Sequence, residues 1–407
     1  MSTAVQPQPA GAEAPTGVGG WLSSRVRRLR EGDVGSLPVI VGLILIWAVF
    51  WFLNPNFLTP RNLTNLATQT AATGTISVGI VLVLLLGEID LSVGQVSGLC
   101  AGIMAVLNVK HGVPAWLAIA SAVAAGGAIG LVQGFWFSRL RIPSFVVTLA
   151  GLLAWQGALL LVLGSTGTLN LTDNTVDALA GTYLPDWAGW AVGVIVILAF
   201  AGSGLLTRRR RRAADLDVGP IGAWLAGLIV LVILVAAALL VLNGYLGVPL
   251  ALLILLGFAA GFDFLVRRTR FGRYIMAVGG SPEAARRAGI SVNGIRVAVF
   301  ALAGVMAACG GVLAASRLLA VNQSSGGSDL LLNVIAAAVI GGTSLFGGRG
   351  SVWSAVTGAL VIISISNGMD LLGLPASIKF VITGAVLLAA VTIDGVARHG
   401  RQASGKA

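Results

Sequence analysis

The sequence predicts an all-α fold, a polytopic transmembrane helical bundle of about twelve spans (about 10–12) with both termini in the cytoplasm. Of the 407 residues, 57% are hydrophobic and only 10% are charged, whereas soluble proteins carry about 25% charged residues. The mean hydropathy is +0.94, which a water-facing surface does not permit. The apolar residues also fall into runs of about 20, the length at which a helix crosses a bilayer.

Twelve apolar segments divide the chain into a membrane domain, 37–393, and two tails. We predict spans at 37–53, 67–86, 92–109, 115–137, 144–163, 187–206, 220–242, 249–266, 295–315, 330–346, 351–372 and 376–393. Outside the spans we predict a disordered cytoplasmic N-terminal tail at 1–36, an Arg-rich cytoplasmic loop at 207–219, a long cytoplasmic loop at 267–294 and a cytoplasmic C-terminal tail at 394–407. Segment 330–346 is also compatible with a re-entrant half-helix, because it ends in GGTSLFGG.

The positions of the basic residues test the even number of spans. If the chain starts inside, the alternation of spans places 22 of the 26 Lys and Arg residues on one side of the membrane. Short connections on the cytoplasmic side carry an excess of Lys and Arg. Losing a single helix would reverse about half of these assignments, so the charge pattern supports an even count.

Composition also excludes several classes of function. The net charge of +11 is explained by membrane topology and does not indicate a nucleic-acid partner. Cys100 and Cys309 lie in apolar runs without metal-ligand spacing, and His111 and His399 lie near segment ends, so no triad or HExxH site is predicted. No GxxxxGK[ST] phosphate loop is present. We therefore expect no cofactor on this chain and no enzyme activity, and any ATP that drives it must bind to another chain.

The longest polar stretch, 269–294, contains a short helix with marked ends. The marks are Ser281 as N-cap, Pro282 at the first helical position, Glu283 in the first turn, Arg286 and Arg287 in the last turn, and Gly289 at a position of positive φ. Two turns of helix are unstable alone in water. We expect this helix to dock, either against the membrane face of its own chain or against a soluble partner.

A second polar feature is the sequence GEIDLSVG, in which Glu88 and Asp90 interrupt apolar residues. Acidic residues at membrane depth are costly and are usually functional. The alternative is that the two carboxylates lie at the cytoplasmic interface, where Asp90 and Ser92 cap the next helix. The sequence leaves both interpretations open.

These segments resemble a known family. The loop at 269–294 resembles the EAA-type coupling loop of ATP-binding-cassette (ABC) import permeases, in the branch that carries ribose, arabinose, galactose and xylose. GEIDLSVG is similar to the EIDLSVG signature of that family, and the acidic Glu88, where many members have Gly, resembles the xylose-carrying members. Further similar segments are IPSFVVTLAGLLAWQG from Ile142, VIGGTSLFGG from Val339 and SNGMDLLGLPASIKFVITGAVLLAAV from Ser366, and Lys379 departs from the pattern.

The resemblance implies a multi-pass permease subunit in a bacterial inner membrane, most similar to those that import D-xylose. It implies a separate ABC ATPase that binds ATP and Mg, a periplasmic sugar-binding protein, a second copy of the permease, membrane lipid and a monosaccharide as partners, with no nucleic acid. The residues that would couple to the ATPase are Ser281, Glu283, Ala284, Ala285, Arg286 and Gly289, and Gly272, Arg273, Gly279 and Gly280 would lead into them.

Polar side chains in apolar segments are candidates for the translocation path. The candidates are Glu88, Asp90, Ser92, Asn333, Asn367 and Asp370. Sugar hydroxyls need amide and carboxylate partners. For Asn333, Asn367 and Asp370, the competing interpretation is hydrogen bonding between helices, which contributes about 0.6 kcal/mol per pair.

Two other functions compete with the ABC permease. An ion-coupled secondary sugar transporter also has about twelve helices, but its fold requires a basic motif between the second and third spans, where this chain has none. A membrane enzyme is disfavoured because the chain has only 2 histidines and no GxSxG or paired-carboxylate site.

Overall fold

The computed structural model describes residues 37–216 and 218–403, and this part of the chain is largely α-helical. The helices are α1 (Leu37–Leu53), α2 (Pro60–Leu85), α3 (Val93–Ala105), α4 (Ala115–Leu140), α5 (Ser144–Leu163), α6 (Asn174–Gly181), α7 (Asp186–Ala213), α8 (Ile221–Asn243), α9 (Leu250–Arg268), α10 (Arg270–Gly280), α11 (Pro282–Arg287), α12 (Val292–Leu318), α13 (Ser328–Ile340), α14 (Trp353–Leu371) and α15 (Ala376–Ala403). Short 3-10 turns at Pro55–Leu58 and Gly164–Thr166 and a π-helical turn at Val106–Lys110 lie between them. The predicted tail at 1–36 lies outside the described residues.

All twelve predicted spans correspond to apolar helices. Among the described residues, nine helices are long and apolar enough to cross a membrane. Apolar helices of 10–17 residues occupy the other three predicted spans, at Pro38–Leu53, Asp329–Ile340 and Ala376–Ala389. α13 has 13 residues and is therefore about 20 Å long, which is shorter than the hydrocarbon core of about 30 Å. This is the segment for which the sequence also allowed a half-helix.

The chain divides into two compact units. Of the described residues, those within 190–239, which include most of the α7–α8 hairpin, belong to one unit, and 37–189 with 240–403 form the other. Within the hairpin, the guanidinium of Arg208 donates to the carbonyl of Gly219 (2.9 Å) and lies over the ring of Trp224. The Arg-rich run that we predicted as part of a loop is helical, because α7 continues to Ala213.

The core of the larger unit forms around α2. Its N-terminus is capped by Thr59, whose hydroxyl accepts from the N–H of Asn62, and Pro60 occupies the first helical position. Because packed neighbours surround α2, its hydroxyl groups need internal acceptors: Thr70 donates to the carbonyl of Leu66 (2.7 Å), and Ser77 to that of Thr73 (2.9 Å). The helices that pack most extensively against α2 are α9, α12, α13 and α14.

Small residues allow α4 and α12 to approach closely. Gly126 and Gly130 of α4 face Gly304 and Phe300 of α12, and a Cβ atom added to any of the three glycines would overlap a backbone carbonyl oxygen of the other helix. This is the small-residue packing by which helices associate in a bilayer, where no water is available to drive apolar contact. The ring of Phe300 also packs against that of Phe137, with 4.7 Å between the centroids.

Two short strand pairs join connections that the predicted topology places outside the cell. β1 (Thr168–Asn170) pairs antiparallel with β4 (Ala320–Asn322), and β2 (Tyr183–Leu184) pairs antiparallel with β3 (Val248–Pro249). Neither these strands nor α6 was predicted. Asp173 caps α6 by accepting from the N–H of Thr175 (2.8 Å), and the amide of Asn108 together with this cap holds the pKa of Asp173 below its usual range.

The structure adds helix to two segments outside the predicted spans. In the predicted C-terminal tail, 394–407, the backbone of α15 remains helical to Ala403. The polar loop at 267–294 was expected to hold one short helix, but it holds two, α10 and α11. The hydroxyl of Thr269 caps α10 by accepting from the N–H of Gly272, and α10 buries Gly272, Ile275 and Val278 along one face. Spacing of three residues places these side chains on one side of a helix, so burial explains why this glycine-containing segment is helical.

Candidate functional site

The short helix α11 has the ends that the sequence predicts. The hydroxyl of Ser281 accepts from the N–H of Ala284 (3.2 Å), and Pro282 is the first helical residue. The helix ends at Arg287, and Gly289 follows it with φ of 81°. An L-residue with a side chain adopts this left-handed conformation only at a cost of about 1 kcal/mol or more, so Gly289 suits the turn.

One side of α11 docks on its own chain, and the other side is open. Ala285 is 4% exposed and belongs to the main hydrophobic core. Glu283, Ala284, Arg286 and Arg287 are exposed. The ion pair between Arg287 and Glu283 (3.0 Å) joins residues one helical turn apart and is exposed, and such pairs add little stability. The sequence left open whether this helix docks on its own chain or on a partner, and the structure places one face against the chain and leaves the other uncovered.

The segment that leads into α11 touches two distant connections through backbone atoms. A Cβ atom added to Gly279 would come closer than 3.0 Å to the carbonyl oxygen of Leu85 and to the amide nitrogen of Gly348. Those two groups are hydrogen-bonded to each other, because the N–H of Gly348 donates to the carbonyl of Leu85 (2.9 Å). Gly347 also lies against Gly87. We call the meeting point of Leu85, Gly87, Gly279, Gly347 and Gly348 the glycine junction.

The glycine junction brings together three segments that the sequence singled out separately. They are GEIDLSVG after α2, the coupling-type loop before α11, and the GGTSLFGG segment after α13. The predicted topology places all three on the cytoplasmic side, and their contact agrees with that assignment. No pattern in the sequence indicated that they meet.

Glu88 forms an ion pair that the sequence did not predict. Its Oε1 lies 2.7 Å from Nη2 of Arg296, and the two side chains are only 14% and 22% exposed. The guanidinium of Arg296 also lies over the ring of Phe137, 5.6 Å from its centroid. In the sequence, Arg296 was counted only as a basic residue that orients the chain. The sequence offered one signal of a specific role, because Arg296 lies inside the predicted apolar span 295–315.

A polar cavity lies beside this ion pair. Its volume is about 700 Å³, and its lining includes Glu88, Arg296, Arg141, Asn293 and, from α11, Arg286. The structure therefore brings Glu88 and Arg286 to one cavity, although the sequence assigned them to the path and to the coupling helix respectively.

Asp90 and Ser92 form part of a buried hydrogen-bond network at the start of α3. Asp90 is 5% exposed, and its Oδ1 accepts from the N–H of Ser92 (2.8 Å) and from its hydroxyl (2.7 Å). The amide nitrogen of Gln133 in α4 donates to the hydroxyl of Ser92 (2.9 Å). Asp90 therefore fixes Ser92, the residue just before α3, and Ser92 itself makes no side-chain cap bond. The network also fixes the start of α3 to α4.

The other predicted path residues lie elsewhere in the bundle. The Nδ2 of Asn62, near the start of α2, donates to the Oδ1 of Asn367 (2.8 Å), and Asp370 pairs with Lys379. Glu88, Asp90 and Ser92 follow the opposite end of α2, which has 26 residues and so is about 39 Å long. Asn333 is half-buried in α13. The six residues therefore do not form one cluster, and Lys379, which departs from the family pattern, has a partner in Asp370.

Among residues 37–216 and 218–403, no three His, Cys, Asp or Glu side chains lie close enough together to hold a metal ion. The site consists of the exposed helix α11, the glycine junction and the Glu88–Arg296 ion pair.

A multi-helix membrane bundle with an exposed, separately capped docking helix at one end is the architecture of a transporter's membrane-spanning subunit. A family described as the permease component of the branched-chain amino acid transport system matches residues 62–391. The chain belongs to this family of permeases, whose members are transport components of the inner membrane.

Individual relatives extend the similarity over nearly the whole chain. The xylose transport system permease protein XylH of Escherichia coli (strain K12) is 40% identical over 372 residues, which cover 91% of this chain and 94% of XylH. The ribose import permease protein RbsC of the same strain is 32% identical over 356 residues, covering 87% and 92%. The L-arabinose ABC transporter permease protein AraH of Azospirillum brasilense is 30% identical over 415 residues, covering 99% of each. No solved structure matches this chain.

Proposed function

We propose that this chain is the permease subunit of an ABC importer that carries D-xylose across the inner membrane. The xylose permease of E. coli is the more similar of the two sugar permeases compared from that strain, at 40% identity against 32% for the ribose permease. A second copy of the chain would complete the path, a periplasmic sugar-binding protein would deliver the sugar, and a separate ATPase would bind ATP and Mg.

The observation that carries the coupling part of the proposal is the two-sided environment of α11. Its buried side, at Ala285, ties the helix to the membrane domain, while Ala284 and Arg286 remain exposed for a partner. A helix held in this way can transmit a movement of a bound ATPase to the other helices of the bundle. Ser281 and Gly289 define its ends, and Glu283 stabilises its first turn through the helix dipole.

The proposed path is a separate assignment. Glu88, Asp90 and Ser92 lie in the connection between α2 and α3. Asn333, Asn367 and Asp370 supply the amides and the carboxylate in the later helices α13 and α14. Because Asp90 and Asn367 are buried and already have protein partners, they would reach a sugar only when the bundle rearranges, whereas Asp370, which pairs with Lys379, is exposed.

Uptake into proteoliposomes tests the transport function. With its ATPase inside and its binding protein outside, we expect the chain to accumulate labelled xylose when ATP is present and not when a non-hydrolysable analogue replaces it. Unlabelled xylose should compete more strongly than ribose or arabinose. Accumulation by the chain alone under an imposed proton or sodium gradient would instead establish the ion-coupled transporter.

Substitution of Ala284 tests the coupling helix. Ala284→Trp places a large side chain on the exposed side of α11, where it does not disturb the core, so we expect membrane insertion to be unchanged. Docking energy is concentrated in a few contacts, and we expect ATP-driven uptake to fall by about tenfold or more, equivalent to about 1.4 kcal/mol. Ala284→Ser keeps the residue small and serves as the control. Wild-type uptake by Ala284→Trp would show that this face does not meet the ATPase.

A further inference from the structure

The Glu88–Arg296 ion pair joins two segments that the proposed transport cycle must move together. Glu88 lies in the connection between α2 and α3, directly after Gly87 at the glycine junction. Arg296 lies near the start of α12, which begins at Val292, shortly after α11 ends at Arg287. The pair therefore links the connection between α2 and α3 to the segment that follows α11.

The geometry makes the pair a specific contact. The two charged atoms are 2.7 Å apart and both side chains are mostly buried. Removing either partner would leave a mostly buried charge without its nearest counter-ion, which costs more than breaking an exposed pair. The exposed Glu283–Arg287 pair of α11, by contrast, has 73% and 80% of its side chains accessible and is expected to matter little.

Each partner is also held from its own side. The guanidinium of Arg296 lies over Phe137 of α4, and the N–H of Ile89, next to Glu88, donates to the hydroxyl of Ser144 at the start of α5 (3.4 Å). These contacts hold the Arg296 side chain to α4 and the backbone beside Glu88 to α5. A displacement of α12 at Arg296 therefore pulls on Glu88 through one short contact.

The neighbouring cavity provides room for such a displacement. Close-packed helices resist small shifts, whereas the space of about 700 Å³ between Glu88, Arg296, Asn293 and Arg286 is not filled by protein. Arg286 reaches this space from α11 itself. The moving helix and the ion pair thus border the same cavity.

We propose that Arg296 is a positioning residue that holds Glu88, and through it the connection between α2 and α3, to the segment following α11. Movement of α11 is then transmitted to the start of α3 by the ion pair, in addition to the backbone contact at the glycine junction. This inference rests on the proposed function. It gives Glu88 a role in transmission that needs no contact with the sugar.

The experiment measures ATP hydrolysis and xylose uptake in the same proteoliposomes that contain the whole transporter. The variants are Glu88→Gln, Arg296→Gln and the charge swap Glu88→Arg/Arg296→Glu. For each single variant we expect uptake to fall by about fivefold while ATP hydrolysis changes by less than about twofold, so that more ATP is used per sugar. The swap should recover at least about half of the lost coupling, because it restores an ion pair between the same positions.

Two variants separate transmission from a purely structural role. Glu88→Asp keeps the charge but shortens the side chain by one methylene, so the protein folds while the contact is weakened, and we expect the ATP used per sugar to rise. Asp263→Asn breaks an ion pair with Arg267 that lies within the single helix α9. For this variant we expect the ATP used per sugar to stay at the wild-type value.

Three results would overturn the inference. The first is a wild-type value of the ATP used per sugar in Glu88→Asp and in every single variant that assembles. The second is a failure of the charge swap to recover any coupling. The third is an equal rise in the ATP used per sugar in Asp263→Asn. A sugar-contact role for Glu88 would appear as a raised KM for uptake in Glu88→Gln with no change in Arg296→Gln. If the wild-type transporter itself shows no ATP-driven uptake, the proposed function fails, and that outcome is distinct from the three above.

Discussion

Gly279→Ala is expected to abolish ATP-driven uptake, whereas Gly280→Ala is expected to leave it unchanged. The two glycines are neighbours at the end of α10 and undergo the same chemical change. A Cβ atom at Gly279 would overlap the carbonyl oxygen of Leu85 and crowd the N–H of Gly348, while a Cβ atom at Gly280 meets nothing within 4 Å.

The difference arises because the obstacle at Gly279 is backbone. A flexible side chain could rotate away, but Leu85 and Gly348 are fixed to each other by a hydrogen bond. Alanine at Gly279 must therefore push α10 away from the end of α2, at a cost typical of overpacking, about 1–3 kcal/mol. At Gly280, alanine is expected to be neutral or to stabilise the helix by up to about 1 kcal/mol.

Uptake, ATP hydrolysis and the thermal melting midpoint in detergent check this expectation. In Gly279→Ala we expect lost uptake and a lower midpoint, and in Gly280→Ala wild-type values of both. Full uptake by Gly279→Ala would show that the glycine junction does not need the close backbone contact.

The second large effect is expected from Gly130→Ala in α4. A Cβ atom at Gly130 would overlap the carbonyl oxygen of Phe300 and force α4 and α12 apart. These two helices share one of the closest crossings of the bundle, and in lipid the loss of packing has no hydrophobic compensation. We expect a destabilisation of about 1–3 kcal/mol and reduced accumulation in the membrane.

Gly157→Ala in α5 is the matched control, because it makes the same substitution in a helix where a Cβ atom meets nothing within 4 Å. The melting midpoint in detergent and the amount of protein in isolated membranes measure both variants. If Gly157→Ala is destabilised as much as Gly130→Ala, the effect comes from glycine replacement in general and not from the α4–α12 crossing.

Local features of the site were predictable from the sequence. Ser281, Pro282 and Gly289 act through atoms within a few residues of themselves, so their pattern alone identified both ends of α11, and the structure confirms them. The short-range contact of Asp90 at the start of α3 was also foreseeable, because its partner Ser92 is two residues away, although neither side chain forms the helix cap that the sequence allowed.

Contacts between distant residues were not predictable. Glu88 and Arg296 are separated by most of the membrane domain in the sequence, and each had a local explanation that concealed the other. Lys379 stood out as a departure from the family pattern until its partner Asp370, across a turn between α14 and α15, became visible. The helix α10 was missed because its glycines favour loops, and only the surface against which it packs stabilises it.

The sequence by itself determined that the protein lies in a lipid bilayer, how many apolar segments it has, where the short helix α11 begins and ends, and the family. Hydropathy, charge alternation and helix caps all depend on short stretches of chain. The tertiary structure alone decided which connections meet, which charged residues pair and which face of α11 remains open. The physical reason is that backbone approach at glycines and ion pairing in a low-dielectric interior depend on distances between segments, and an apolar sequence with many glycines is compatible with many such arrangements.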